Sequence, residues 1–140
     1  MRLYLDNSLL VPLYALESRT TDAQNWMAGL EGQVLAVSLW CVTEFSSALA
    51  LKARRGELRQ DGLLIAESGF RQFVAGRATV LAVADKDFYR ASELCLSGVD
   101  LRSGDALHLA IAERHGLTVC TLDLGMCAAA LALGLPCETL

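Results

Sequence analysis

Long apolar runs, paired cysteines, proline and basic residues are all scarce in this chain, and each scarcity excludes something. The longest apolar stretches, such as MCAAALALGLP from Met126 to Pro136, stop short of the roughly 18 residues a membrane span requires, so no membrane is expected. The amino terminus, MRLYLDNSLLVPLYALE, is broken by Asp6 and Asn7 before it can form the apolar region of a signal peptide, and no export is expected. The five cysteines, Cys41, Cys95, Cys120, Cys127 and Cys137, include no Cys-x-x-Cys pair. An odd count without metal spacing fits reduced, mostly buried thiols in a cytoplasmic protein, and it disfavours a structural zinc site. Twelve Lys and Arg stand against 16 Asp and Glu, a formal charge of -4 that argues against sequence-independent nucleic-acid binding over a broad surface.

What remains is apolar and periodic. Hydrophobic residues make up 54% of the 140 and charged residues 20%, and with only two prolines the composition is globular and helix-permissive. The length suits one domain, residues 1–140. Arg2 to Leu5 reads as a short strand ending on Asp6, with Asn7 or Ser8 capping a helix that holds Pro12 near its first turn. Thr20 or Thr21 opens a second helix, closed by Gly29 or Gly32. Val34 to Ser38 suits a strand buried on both faces, followed by a long helix from Leu39 to Arg55 that Gly56 ends. Further helices are predicted over Arg59–Gly76, Asp85–Leu96 and Leu124–Leu133. Thr79 to Val83 and Thr118 to Leu122 read as strands, and a short fifth strand lies around Cys137 to Thr139. Strands alternating with helices predict a three-layer α/β/α domain with a mostly parallel sheet.

Four acids stand out. Asp6 and Asp123 fall at the carboxyl ends of strands, where open α/β sheets place their ligands. Asp105 sits in the first turn of a helix that Ser103 can cap. Glu44 has Trp40, Cys41, Ser47 and Ala48 as helical neighbours, so no base lies where an exposed glutamate usually finds one. Each acid has an ordinary account on its own: Asp6 and Asp123 as helix caps, Asp105 beside a helix dipole, Glu44 at the edge of an apolar stripe. Together, acids gathered on one rim of a sheet repel one another unless a cation joins them, and hard oxygen donors suit magnesium or manganese. Lys52, Arg54, Arg55 and Arg59 form a basic cluster that could track a phosphate backbone or simply complement a helix end.

Four segments in order carry a family resemblance: YLDNSLLV at Tyr4–Val11, Val42-Thr43-Glu44 with Ala48, LRSGDALHLA at Leu101–Ala110, and VCTLD at Val119–Asp123. Together they resemble the PIN-domain ribonucleases, and most of all the VapC-type toxins of toxin-antitoxin pairs. The resemblance implies a five-stranded sheet of order 3-2-1-4-5. It implies Asp6, Glu44, Asp105 and Asp123 as the catalytic, metal-binding acids, with Ser8 and Thr121 as supporting hydroxyls. It also implies Mg2+ or Mn2+ as cofactor and cleavage of RNA by metal-activated water, leaving a 5'-phosphate and a 3'-hydroxyl. A homodimer silenced by a cognate antitoxin is implied as well, and Lys52, Arg54, Arg55 and Arg59 become candidates for steering RNA. This chain departs from the pattern at Asn7, at Gly104 before Asp105, and at Leu124-Gly125-Met126, where many relatives carry another acid or amide.

His108 shares a helical face with Asp105, but the family's use of acids alone casts it as a hydrogen-bonded boundary residue rather than a base or ligand. Two alternatives remain open. One is a catalytically silent PIN-like module that binds RNA or protein. The other is a different magnesium-dependent α/β domain, such as a phosphoryl-transfer receiver, which the absence of an Asp-x-Asp pair on the first strand and of a lysine after Asp123 disfavours.

Overall fold

Three apolar runs form the inner strands of a five-stranded sheet in the computed structural model, which describes residues 2–140. These strands are β1 (Arg2–Leu5), β2 (Val34–Ser38) and β4 (Thr118–Thr121); β3 (Ala78–Leu81) and β5 (Cys137–Thr139) lie at the edges. The order is β3-β2-β1-β4-β5 and every pairing is parallel. Leu3, Tyr4 and Leu5 are fully buried, as are Val37 and Cys120, because strands with neighbours on both sides and helices on both faces leave no side exposed. The edge strands are more open, and Val80 remains 37% exposed.

Among the described residues, seven helices make up the outer two layers: α1 (Asn7–Tyr14), α2 (Thr20–Ala28), α3 (Leu39–Arg54), α4 (Gln60–Gly76), α5 (Asp85–Cys95), α6 (Ser103–Arg114) and α7 (Leu124–Ala132). Helices α1, α3 and α4 meet through an aromatic cluster in which Phe45 and Phe70 stack at 4.1 Å and Tyr14 lies about 6 Å from Phe45, Phe70 and Phe73. Helix α6 is buried without interruption from Ala106 to Ala112, the pattern of a helix covered on all sides rather than along one stripe.

The fold matches the three-layer expectation and differs from the sequence reading in local detail. Strand β3 runs from Ala78 to Leu81 rather than Thr79 to Val83, because Leu81 pairs with Ser38, the last residue of β2, and beyond it no partner strand remains. Pro12 is the sixth residue of α1 rather than part of its first turn, two residues before the helix ends. Asp6 occupies the N-cap position of α1 in place of Asn7 or Ser8, and its side chain makes no capping bond. Ser103 is already helical, so the cap position of α6 falls on Arg102 and carries no side-chain cap. The five cysteines are all free thiols, with Cys41, Cys120 and Cys127 buried. Among the described residues no helix is long and apolar enough to cross a membrane.

Candidate active site

The sheet order reverses direction at β1, which pairs with β2 on one side and β4 on the other, and this opens the crevice where α/β sheets hold ligands. Asp6 leaves β1 at that point. Its backbone N–H still bonds to the Cys120 carbonyl of β4, at 3.2 Å, so the residue is locked into the sheet although the strand has ended. Its side chain is 4% exposed. Ser8 Oγ donates to Asp6 Oδ1 at 2.8 Å, and Thr121 Oγ1 donates to Oδ2 at 2.9 Å. The two hydroxyls lie 2.9 Å apart and in turn accept the Leu122 and Asp123 N–H groups. The capping account of Asp6 is therefore not realised: β4 and α1 together hold the carboxylate facing the switch point.

Asp123 does cap its helix, with Oδ1 accepting from the Met126 N–H at 3.0 Å. It also borders a cleft of about 590 Å3 whose lining includes Glu44, Arg102, Ser103, Gly104, Asp105 and Asp123. Glu44 arrives from α3, Asp105 from the first turn of α6, and Asp123 from the end of β4, so three of the four predicted acids share one wall system; Asp100, which the sequence reading did not single out, lines it too, and Asp6 does not. Gly104 packs against α3: a Cβ added there would meet Glu44 Oε2 at 3.5 Å and the Trp40 indole at 3.6 Å.

Electrostatics tie the fourth acid to these three. Burial raises the Asp6 carboxyl pKa to about 6; the positive potential of His108 and the two hydroxyl hydrogen bonds oppose the rise, and the nearby Asp105 adds to it. Burial also raises the Asp105 pKa, and repulsion from Asp123 and Glu44 raises it further against the pull of His108 and Arg102. The acids thus sense one another's charge across the cleft. An all-oxygen, mutually repelling donor set fits a hard divalent cation in chemistry and in charge. Among the described residues, no group of three or more His, Cys, Asp or Glu side chains stands in a closed arrangement around an ion position.

Glu44 finds across the fold the partner that its own helix lacks. His108 Nε2 donates a hydrogen bond to Glu44 Oε1, and His108 Nδ1 lies 2.6 Å from the Tyr4 hydroxyl. Tyr4 continues to Ser38 Oγ at 2.8 Å, and Ser38 accepts the Cys41 N–H at the start of α3. Burial alone would lower the His108 pKa, but hydrogen bonds and charge from Cys41 and Glu44 outweigh it and raise the pKa to about 10. His108 is 1% exposed, so it is a fully buried residue rather than the boundary residue read from the sequence. Its hydrogen bonding was anticipated; its partner was not.

The basic cluster lies elsewhere. Lys52 is paired with Glu17 at 2.8 Å, while Arg54, Arg55 and Arg59 are exposed around the carboxyl end of α3. At the usual helical rise, Arg54 is about 15 Å from Glu44 along the helix axis. The base that lines the cleft itself is Arg102, which the sequence reading passed over because it stands alone between Leu101 and Ser103. Its place three residues before Asp105, at the start of the same helix, was the available signal.

Similarity to known proteins converges on one family. The family model described as PIN domain matches residues 3–131. Among solved structures, VapBC2 from Rickettsia felis, bound to a DNA fragment from its promoter, is 16% identical; the match covers 100% of this chain and 99% of that one with a TM-score of 0.71. VapC20 from Mycobacterium tuberculosis, a sarcin-ricin loop cleaving toxin, is 17% identical over 91% of this chain and 94% of its own, also at 0.71. VapBC-5 from the same organism, a member of the VapBC family of toxin-antitoxin systems, is 18% identical over 99% and 97%, at 0.61. None of the curated proteins matches. With the domain model spanning nearly the whole sequence and the sheet order and acid-lined switch point already in place, the chain belongs to the PIN-domain family.

Proposed function

We propose that this protein is a metal-dependent endoribonuclease of the VapC toxin kind, using Mg2+ or Mn2+ and silenced by a cognate antitoxin. The observation that carries the reading is the convergence of Glu44, Asp105 and Asp123 on one cleft, with the buried Asp6 at the point where the sheet order reverses and close enough to feel the Asp105 charge. Asp6, Glu44, Asp105 and Asp123 would hold the cation. When bound, the cation supplies Lewis-acid polarisation of the phosphoryl group and a water nucleophile at neutral pH.

The chain's own groups do the positioning. Ser8 and Thr121 fix both oxygens of Asp6, so this carboxylate cannot rotate without losing a hydrogen bond. Arg102 provides positive charge beside the acids, where an RNA phosphate would otherwise meet only repulsion. The uncapped first turn of α6, Ser103 to Asp105, leaves N–H groups without intrahelical partners on the cleft wall, a chemistry suited to phosphate oxygens. The VapC20 structure supports RNA as the substrate class, and the VapBC structures support an antitoxin partner and a toxin of this size. A homodimer is part of the same reading.

The test is cleavage of an RNA panel with Mg2+ or Mn2+, comparing the wild-type chain with Asp6→Ala and Asp105→Ala. Wild-type cleavage should require the cation, fall to background in both variants, and be suppressed by the product of the adjacent gene when the two are co-purified. Equal activity in all three chains would sink the assignment. A second reading, a catalytically silent PIN-like module, is favoured by Leu124-Gly125-Met126, which offers no further acid beyond Asp123. RNA retained tightly by the wild-type chain with no cation-dependent turnover would select it.

A further inference from the structure

The interior of the fold devotes three hydrogen-bonding side chains to a single surface carboxylate. Tyr4 comes from the central strand, Ser38 from the junction of β2 and α3, and His108 from the most buried helix; all three are essentially inaccessible. The line they form ends at Glu44 Oε1, the oxygen that faces the core. Glu44 itself is 28% exposed, and its other oxygen, Oε2, is the one beside Gly104 on the wall of the acidic cleft. The two oxygens of one carboxylate are thereby divided between the core and the cleft.

We propose that His108 is a positioning residue for the nuclease centre: by binding Glu44 Oε1 from within, it aims Glu44 Oε2 at the cation position. The inference rests on the metal-dependent reading of the cleft and deepens it. An imidazole suits this task where other bases do not. Arginine would engage both carboxylate oxygens with its fork, and lysine could swing its ammonium toward either one. Imidazole Nε2 carries one N–H on a rigid ring, so it takes one oxygen and leaves the second free. The assignment holds whether or not the ring is charged, since Nε2 donates in both forms, with Nδ1 accepting from the Tyr4 hydroxyl in the neutral one.

Tyr4 and Ser38 set the ring's orientation. The Tyr4 hydroxyl lies between His108 Nδ1 and Ser38 Oγ, which stops the imidazole from rotating away, and Ser38 is fixed by the Cys41 N–H in the first turn of the helix that carries Glu44. Outer partners that orient a metal-binding carboxylate typically contribute about 10- to 100-fold in metal affinity or activity. That is the size of effect to look for here.

The experiment titrates Mn2+ alone into the purified full-length chain by calorimetry, with thermal melts to verify folding and single-turnover RNA cleavage alongside. His108→Leu fills the space without a donor and should weaken Mn2+ binding by about 10- to 100-fold, with kcat reduced and KM for RNA unchanged. His108→Gln, which can place a donor near the Nε2 position, should recover most of the loss. On a Glu44→Ala background, His108→Leu should have no further effect on Mn2+ affinity. A downfield proton resonance from His108 Nε2–H, lost in Glu44→Gln, reports the contact without any metal.

Unchanged Mn2+ affinity in a folded His108→Leu, or an equal further loss on the Glu44→Ala background, overturns the positioning role while leaving the nuclease reading intact. Should His108→Leu fail to fold, Tyr4→Phe releases the ring at Nδ1 and should lower Mn2+ affinity several-fold; an unchanged value then overturns the role. A wild-type chain that neither binds Mn2+ nor cleaves RNA removes the nuclease reading and this role with it, even if the resonance is present.

Discussion

Asp6 shows what it costs to keep a carboxylate ready in the interior. Its pKa is raised by burial from an ordinary carboxylate value to about 6, so between pH 4 and 6 the folded chain binds more protons there than the unfolded chain does. Stability contributed by the protonated form is complete below the unfolded pKa and is lost as the pH rises through the folded value. Above pH 6 the ionised group destabilises the cation-free protein by on the order of 1–3 kcal/mol. Asp6→Asn, which can still bond to Ser8 and Thr121, should therefore unfold at higher urea than the wild type at pH 7.5 in EDTA, and this advantage should vanish near pH 4. A variant less stable at pH 7.5 would contradict the burial argument. The acid itself was legible in the sequence because it directly follows a buried strand. The His108–Glu44 pair was not: Glu44 stood out for lacking a partner in its own helix, but the partner it finds is 64 residues away on another helix.

At the scale of elements, helix existence and most helix ends followed from periodicity and glycine punctuation, with α3, α4, α5 and α7 within one residue of their expected bounds, while the capping residues of α1 and α6 did not. Side chains that could cap, Ser8 and Ser103, lie one position or more inside their helices, and at α1 tertiary bonds take the residue at the cap position: Asp6 N–H remains in the sheet, and the Asp6 side chain is taken by β4. Packing between elements was equally hidden. Gly69 in α4 looks like a weak point of a helix, yet a Cβ there would stand 2.8 Å from the Tyr14 ring, which Phe45, Phe70 and Phe73 hold in place. The ring is not the free end of a flexible chain, so α1 and α4 would have to separate. Gly69→Ala should lower stability by about 1–3 kcal/mol in denaturant melts despite its better helix propensity. Gly76→Ala, where a Cβ meets nothing within 4 Å, should be neutral or slightly stabilising. Equal effects at the two sites would remove the steric account.

On the proposed nuclease reading, the whole molecule sets a problem that no single element solves: a chain of formal charge -4, with Glu44, Asp105 and Asp123 on one cleft, has to attract a polyanion. The sheet order concentrates the acids at the switch point; the alternation of strands and helices made a mostly parallel sheet legible, while its strand order was implied by the family resemblance alone. The distribution of bases was legible as a cluster but not as a distance. Arg54, Arg55 and Arg59 are exposed around the carboxyl end of α3, with Arg54 about 15 Å from Glu44 along the helix axis. Their effect should therefore be on encounter rather than on chemistry, since exposed charges more than a Debye length away act through a screened field. Charge reversal in Arg54→Glu with Arg55→Glu should lower kcat/KM for RNA by about 10-fold at 50 mM salt, leave kcat unchanged, and lose most of its effect by 300 mM. Arg102→Ala, by contrast, removes a base from the cleft itself and should lower kcat at both salt concentrations. If the double reversal lowers kcat and the loss persists at high salt, the cluster contacts the reacting segment, and the RNA path must cross α3 rather than approach along it.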